Sequence, residues 1–410
     1  MSPVRRSILV SSLVVAACAP AQKATAPAAT PTANSQTAGA AMNAPPANAP
    51  PSPKRCGYSV RRVSAAGRGA MRPQLAAVAD AFAVAWEETT DHRGIRVQTF
   101  GLDGQPLGTS IEVADVARAA AEPRLAANAA GDGFAVFWSA THGDASSALN
   151  VRRIDRAGKP KSDATPIVVA PGARALDAAA TDNGYALAWW NWSGQPHQLA
   201  VTFADKDGHA VGKPLAVTRT PSPDPTVDIA PGASLGRRAS TVLAWDETVG
   251  DGEHIVIGDL GRDRLEGRTD LGPGETPRFG ANLVIFERPS EASIWAAALD
   301  GATPPQRITD GHVPAAAPRG ARTTALCYLR DTDPSDRAHV DELVCGDLVD
   351  GKISDATRIA VAPRGMFGVQ VATIGSHVGV AWQTQEDDDT TVSFAALTCP
   401  EASAAAKAPQ

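Results

Sequence analysis

Five arginines stand near the starts of equivalent short strands, where together they could bind an anion. They are Arg72, Arg124, Arg174, Arg278 and Arg364. A guanidinium group pairs well with a carboxylate or a phosphate, so several of them around one opening predict an anion site. Arg124, Arg174 and Arg278 are the main candidates. In the alternative interpretation, each is an isolated loop arginine that faces solvent.

Two tryptophans form a second candidate site. Trp190 and Trp192 follow Trp189 closely, and both alternate to the opposite face of the strand, beside Asn191. Exposed indoles could stack on a sugar ring or anchor a protein partner. The alternative is that they fill a gap between neighbouring structural units.

Other reactive side chains give no catalytic or metal site. Acidic pairs such as Glu87-Glu88 and Asp246-Glu247 fall in expected outer loops, but none fits the twelve-residue calcium loop, so we interpret them as solvated. Five histidines belong to different units, which argues against zinc. No nucleophile elbow, phosphate-binding loop or zinc-protease motif occurs. We therefore expect no catalytic residue, no metal and no cofactor.

The elements that hold these residues repeat along the chain. One aromatic residue ends a short apolar strand in each unit, and successive aromatics lie 52, 51, 56, 41, 42 and 54 residues apart. The series is Trp86, Trp138, Trp189, Trp245, Phe286, Tyr328 and Trp382. Units near 50 residues with four short strands each are typical of a β-propeller. Asp-Gly pairs between strands predict type I′ hairpin turns.

The second strand of each unit predicts how the sheets stack. Phe82, Val84 and Trp86 share one face, whereas the alanines between them share the other. A bulky face against a shallow one keeps stacked sheets at about 10 Å. We predict an all-β, seven-bladed propeller of four-stranded antiparallel blades. The last blade has only three clear strands, so the strand after Cys56 is expected to complete it and close the ring.

That closure selects one pairing of the cysteines. Four of the five, Cys56, Cys327, Cys345 and Cys399, lie within the repeat region. Cys56 begins the closing strand and Cys399 ends the strand beside it, which predicts a Cys56–Cys399 disulfide. Cys327 and Cys345 lie on adjacent strands of the sixth unit, which predicts the second disulfide.

The N-terminal segment indicates export. Residues 1–17 contain Arg5-Arg6 and a short apolar core, as a signal peptide does. The sequence Val15-Ala16-Ala17-Cys18 resembles the lipobox of bacterial lipoproteins. The resemblance implies lipidation of Cys18 and an anchor in the envelope membrane, and Ala19 favours the outer membrane. An ordinary signal peptide with a chance cysteine is the alternative.

Composition divides the rest of the chain. Residues 18–53 are rich in Ala, Pro and Thr, which predicts a disordered tether. We expect residues 54–400 to form the propeller and residues 401–410 to form a disordered tail. The net charge of −6 gives no reason to expect nucleic acid as a partner. We expect a monomer.

The chain is distantly similar to TolB-type and other periplasmic propellers, a resemblance of architecture that does not identify a ligand. Our leading hypothesis is a non-enzymatic binding or scaffold module of the cell envelope for a protein or a glycan. The alternative is a glycan-acting hydrolase or lyase with its active site in the central channel, which would need two carboxylates about 5–10 Å apart.

Overall fold

The computed structural model describes the repeat region of the chain in fourteen segments. They are residues 56–89, 93–114, 120–128, 130–141, 147–170, 172–191, 198–218, 232–237, 240–250, 252–261, 263–332, 340–363, 365–387 and 389–399. The predicted signal peptide, Cys18, the tether and the C-terminal tail lie outside them. No helix in these segments is long and apolar enough to cross a lipid bilayer.

Seven sheets, each of four antiparallel strands, form the described part of the protein. Strand β1 (Gly57–Arg62) precedes the first blade. Blade 1 contains β2 (Met71–Val78), β3 (Ala81–Glu88), β4 (Gly94–Gly101) and β5 (Ile111–Glu112). Blade 2 contains β6 (Ala120–Ala127), β7 (Gly133–Thr141), β8 (Ser147–Asp155) and β9 (Thr165–Val169). Blade 3 contains β10 (Ala173–Thr181), β11 (Gly184–Asn191), β12 (Gln198–Asp205) and β13 (Ala210–Ala216).

The remaining blades repeat the order. Blade 4 contains β14 (Ala233–Arg237), β15 (Thr241–Val249), β16 (Gly252–Leu260) and β17 (Leu265–Pro273). Blade 5 contains β18 (Glu275–Phe279), β19 (Leu283–Arg288), β20 (Ser293–Ala298) and β21 (Gln306–Asp310), with a 3-10 turn at Pro289–Glu291. Blade 6 contains β22 (His312–Pro318), β23 (Thr323–Asp331), β24 (Asp341–Val349) and β25 (Lys352–Ala362). Blade 7 contains β26 (Met366–Ile374), β27 (His377–Glu386) and β28 (Asp389–Thr398).

The ring closes as the repeat predicted. The first strand of every blade contacts the first strands of both neighbouring blades, including β2 with β26. Strand β1 pairs with β28 as the fourth strand of blade 7, in a register that runs from Gly57 opposite Thr398 to Arg62 opposite Ser393. The seven-bladed, all-β prediction is confirmed.

Two disulfides lie in blades 7 and 6, at and next to the ring closure. Cys56 is bonded to Cys399, with their Cα atoms 4.2 Å apart, directly beyond the last pair of the β1–β28 ladder. Cys327 is bonded to Cys345, which lies opposite it on the neighbouring strand of blade 6. Both pairings agree with those derived from the strand order, and both fit a protein exported to an oxidising compartment.

The core lies between the blades, bulky face against shallow face. Phe134, Val136 and Trp138 of blade 2 pack against the alanine face of blade 1, Ala81 and Ala83 included. Equivalent clusters fill the other junctions. The repeated aromatics are therefore core residues.

The turn prediction needs correction. At Asp103-Gly104 only the glycine has a positive φ, of 76°, and the turn is closed by the N–H of Gly104 donating to Gly101 O at 3.0 Å. This is a type I turn followed by a left-handed glycine. Asp350-Gly351 has positive φ at both residues and is the type I′ turn that the sequence suggested.

Candidate functional site

All seven blade junctions are bridged by one type of hydrogen bond. A side-chain oxygen of one blade accepts from a backbone N–H at the start of the next blade, and we call these contacts the junction hydrogen bonds. The acceptor–donor pairs are Glu87–Glu122, Ser139–Ala175, Asp177–Leu235, Asp246–Thr276, Glu287–Val313, Asp341–Met366 and Gln383–Arg72. Their lengths run from 2.6 Å at Leu235 to 3.2 Å at Glu122 and Thr276.

A β-bulge near the start of the first strand makes several of these N–H groups available. Arg72, Glu122, Thr276 and Val313 occupy equivalent bulge positions and have φ values from 49° to 56°. The left-handed conformation is unfavourable for residues other than glycine, most of all for β-branched ones. A junction hydrogen bond from the preceding blade stabilises it.

The prediction that Glu87 and Asp246 lie in solvated outer loops is wrong. Glu87 and Asp246 stand directly after the aromatic of their second strands and are buried, at 0% and 7% exposure. Their side chains lie against the next blade instead of in solvent, because their oxygens accept hydrogen bonds from N–H groups of its bulged first strand. The sequence signal that was missed is a polar residue immediately after the aromatic, which recurs at Ser139, Glu287 and Gln383.

Asp246, like Asp177, has a carboxyl group whose pKa is raised by burial. Its Oδ2 accepts from Thr276 N–H at 3.2 Å, and the chain at Gly232 approaches so closely that a Cβ there would lie 2.6 Å from this oxygen. Burial raises the pKa of Asp246 to about 7, in spite of the Thr276 hydrogen bond, and the nearby Glu253 adds to the rise. This carboxyl group therefore keeps its proton to a higher pH than an exposed aspartate does.

The structure brings most of the candidate arginines to the first strands, but together with acids. Arg72 pairs with Glu87 at 2.9 Å, and Arg174 lies 3.7 Å from Glu122. Arg364 is outside the described residues. An anion would have to compete with these carboxylates for the guanidinium groups.

Arg124 and Arg278 share a different setting. The Nε of Arg124 donates to the carbonyl of Leu176 in the next blade, and each guanidinium also donates to the carbonyl of the proline before it. Burial lowers the pKa of both arginines, and Asp177 acts in the opposite direction on both. Asp177 in turn accepts a hydrogen bond of 2.6 Å from the Leu235 N–H. Four arginines thus lie among Glu87, Glu122, Asp177 and Asp246, so the predicted anion site also contains acidic groups.

Trp190 does not present an exposed ring. It is 6% exposed and packs between blades 3 and 4 with Leu243 and Trp245. It stands directly after Trp189, at the position that carries the polar acceptor in most other blades. The gap-filling interpretation of Trp190 is the one that fits this burial. Trp192 lies outside the described residues.

An open groove lies on the opposite face, among the turns that join first to second and third to fourth strands. We call it the hairpin groove; it has a volume of about 640 Å³ between blades 2 and 3. Its lining includes Asn128, Asp132, Arg153, Asn183, Tyr185 and Asp207. A second cavity of about 360 Å³ shares Asp182, Asn183 and Asp205 with it and leads toward blade 4. None of these residues was a candidate from the sequence.

No metal centre is evident in the described part of the chain, where no three His, Cys, Asp or Glu side chains gather around one point. His254, the described member of the five loop histidines, contacts Asp270 at 3.0 Å. His92, His142, His197 and His339 lie outside the described residues.

Comparisons with known proteins add no functional assignment. No family model and no curated protein matches the sequence. Among solved structures, a prolyl endopeptidase study gives a TM-score of 0.45 at 16% identity over 75% of this chain, which spans 45% of the length of that protein. Neuraminidase-like proteins of subtype N11, from a flat-faced bat isolate of Peru, and subtype N10, from a little yellow-shouldered bat isolate of Guatemala, are also similar. Their TM-scores are 0.45 and 0.44 at 8% and 9% identity, over 84% and 83% of this chain and 94% and 99% of theirs.

Proposed function

We propose that this protein is an exported binding or scaffold module of the cell envelope, anchored by a lipid on Cys18, whose propeller holds a protein or a glycan without transforming it. The non-enzymatic part of the proposal is supported by the structural hydrogen bonds that the carboxylates at the blade junctions accept. Glu87, Asp177, Asp246 and Glu287 each accept a backbone N–H of the next blade. A carboxylate with this structural task is poorly placed to approach a substrate.

The support for the location comes from the N-terminus and the cysteines. The Val-Ala-Ala-Cys sequence is similar to a lipobox, and the two disulfides fit an oxidising compartment such as the periplasm. Ala19 favours delivery to the outer membrane. A Cys18→Ser variant tests the anchor: it should lose incorporation of labelled palmitate and move from the membrane fraction to the soluble periplasmic fraction, whereas Cys18 protein stays with the membrane.

One observation favours the alternative, an envelope glycan hydrolase or lyase. A buried carboxyl group with a pKa of about 7, as at Asp246, has the titration behaviour that a general acid needs. Its Oδ2, however, already accepts a hydrogen bond from Thr276 N–H. Because this structural contact occupies the carboxyl group, we favour the non-enzymatic function.

Binding and turnover are separated in one experiment. The purified propeller is incubated with envelope glycans and envelope protein extract, and both retention and the mass of the recovered glycans are measured. The proposal expects saturable retention of a ligand with unchanged mass. Release of shortened or unsaturated glycans that is abolished in Asp246→Asn would replace it with the enzymatic alternative.

A further inference from the structure

One residue position recurs on the first strand of every blade, at the centre of the propeller. In each blade it lies opposite the residue that precedes the repeated aromatic. We call these residues the channel ring: Gln74, Arg124, Asp177, Ser234, Arg278, Ala315 and Gln370. The first strands contact one another all the way round the ring, so long side chains at this position can meet near its axis.

Three members of the channel ring are held in the same way. Gln74 Nε2, Arg124 Nη1 and Arg278 Nη1 each donate to the carbonyl of the proline that precedes them, at 2.8, 2.7 and 2.8 Å. The Nε of Arg124 also donates to Leu176 O of blade 3. These contacts fix both guanidinium groups, but every acceptor is a neutral carbonyl, so none of them balances the positive charge.

Arg124 and Arg278 form no ion pair within the described segments, whereas Arg72 and Arg174 lie beside Glu87 and Glu122. Asp177 belongs to the same ring, but its oxygens accept the N–H groups of Ala178 at 2.9 Å and Leu235 at 2.6 Å. A guanidinium group has five N–H donors. Two are used at Arg124 and one at Arg278, which leaves three and four for another acceptor.

The two guanidinium groups also repel each other. Burial lowers the pKa of both arginines, and Arg278 lowers the pKa of Arg124 further, although Asp177 acts in the opposite direction on both. Blades 2 and 5 lie nearly opposite each other in a ring of seven, so this repulsion requires both side chains to extend toward the axis. Charges removed from water are normally paired. The channel therefore offers a position for an anion.

The charge of the ring indicates which anion fits. With Asp177 ionised, the two arginines leave a net charge of +1, since the other members are neutral. One monovalent anion balances it. A carboxylate carries one charge and two acceptor oxygens, which match the fork of a guanidinium group. A doubly charged sulfate or phosphate exceeds this charge and is repelled by Asp177.

We propose that the central channel binds the carboxylate of a small organic acid between Arg124 and Arg278, with both guanidinium groups donating to its oxygens. This site is separate from the proposed retention of an envelope protein or glycan, and either can fail without the other. The C-terminus of a peptide carries the same chemical group, so the experiment has to distinguish the two sources.

The test titrates the full chain with trifluoroacetate at low chloride concentration, followed by fluorine NMR relaxation. Binding should be saturable, acetate should displace the probe, and sulfate should displace it less well. Arg124→Gln and Arg278→Gln should each raise the dissociation constant roughly tenfold or more. Arg358→Gln, on the outer strand of blade 6 where the arginine pairs with Glu342, is the control and should leave it unchanged.

Asp177→Asn gives a result that a purely structural role for the arginines does not predict. It removes the competing negative charge, keeps an oxygen for the Leu235 N–H, and should lower the dissociation constant roughly two- to fivefold. This variant decides the question even if an arginine variant fails to fold.

Three outcomes would contradict the proposal. Absence of saturable binding, or binding that is unchanged in Arg124→Gln, Arg278→Gln and Asp177→Asn, would overturn the channel site and leave the proposed function standing. Displacement by trialanine with a free C-terminus, but not by acetate or by amidated trialanine, would replace the small acid with a peptide terminus. Sulfate that displaces the probe better than acetate would overturn the carboxylate.

Discussion

Glu287 accepts a hydrogen bond from the backbone N–H of Val313 across the junction of blades 5 and 6, at 2.9 Å. Val313 has a φ of 49°, which is unfavourable for a β-branched residue. The carboxylate thus stabilises a backbone conformation in a different sheet. Since every junction has a counterpart, the ring is held by specific polar contacts as well as by its apolar faces.

Glu287→Ala should therefore lower the free energy of unfolding by about 1–2 kcal/mol, because it leaves the Val313 N–H without its acceptor. Glu287→Gln keeps an acceptor oxygen and should have less than half this effect. The measurement is urea denaturation followed by fluorescence. Glu112→Ala, at an exposed position of β5, is the control, and equal losses in Glu112→Ala and Glu287→Ala would refute the role of the junction hydrogen bond.

Asp246 should make stability depend on pH in a predictable direction. Its pKa of about 7 in the folded protein exceeds the ordinary value of 3.8, so between these pH values the folded state holds a proton that the unfolded state has lost. The contribution of Asp246 to stability consequently falls as pH rises from about 4 to 7 and then stays low.

Asp246→Asn removes this titration while keeping an oxygen for Thr276 N–H. The variant should be more stable than the parent protein by about 1–3 kcal/mol at pH 8, with the difference shrinking toward pH 4. Thermal unfolding from pH 4 to 8 measures it, and Asp263→Asn on the same blade serves as control. A difference that is constant across this pH range would show that the carboxyl group does not titrate there.

The two disulfides should contribute unequally. Cys56–Cys399 closes a sequence separation of 343 residues and Cys327–Cys345 one of 18. In the chain-entropy model these loops correspond to about 6 and about 3 kcal/mol. The double variants Cys56→Ala/Cys399→Ala and Cys327→Ala/Cys345→Ala should follow that order in chemical denaturation, and reducing agent should lower the melting temperature. An unchanged melting temperature on reduction and in Cys399→Ser would refute the closure role.

Trp190 should behave as a core residue. Trp190→Ala leaves a cavity beside Leu243 and Trp245 and should cost about 3–5 kcal/mol, whereas Trp190→Phe should cost less. Retention of envelope glycans and envelope proteins, measured per folded molecule, should stay within twofold of the parent protein. A large loss of affinity at unchanged stability would return Trp190 to the binding site.

The sequence was sufficient for the fold because its local pattern is redundant. Seven aromatics and the alternation of Phe82, Val84 and Trp86 with alanines specify stacked sheets, and the position of Cys56 before a lone strand specifies the closure. The junction hydrogen bonds were not predicted, because each joins a side chain to a bulge in a different blade, and bulge positions are not visible in the alternation.

The hairpin groove was missed for another reason. Its aspartates and asparagines are ordinary turn residues, so their types gave no signal. The one departure from the repeat that could have revealed it is Tyr185, which replaces the phenylalanine of the first two blades. Trp190 stands at a position that is polar in most blades, and the sequence left open whether it binds a ligand or fills a gap; the structure shows that the neighbouring blade covers it.

Closure through β1 has a mechanical consequence. A pull on the chain before Cys56 reaches β28 directly through the Cys56–Cys399 bond, instead of peeling β1 from the edge of blade 7 one hydrogen bond at a time. The load then passes along two covalently joined strands from opposite ends of the sequence. With that bond oxidised, the ladder between β1 and β28 should resist a pull from the N-terminal side better than it does after reduction.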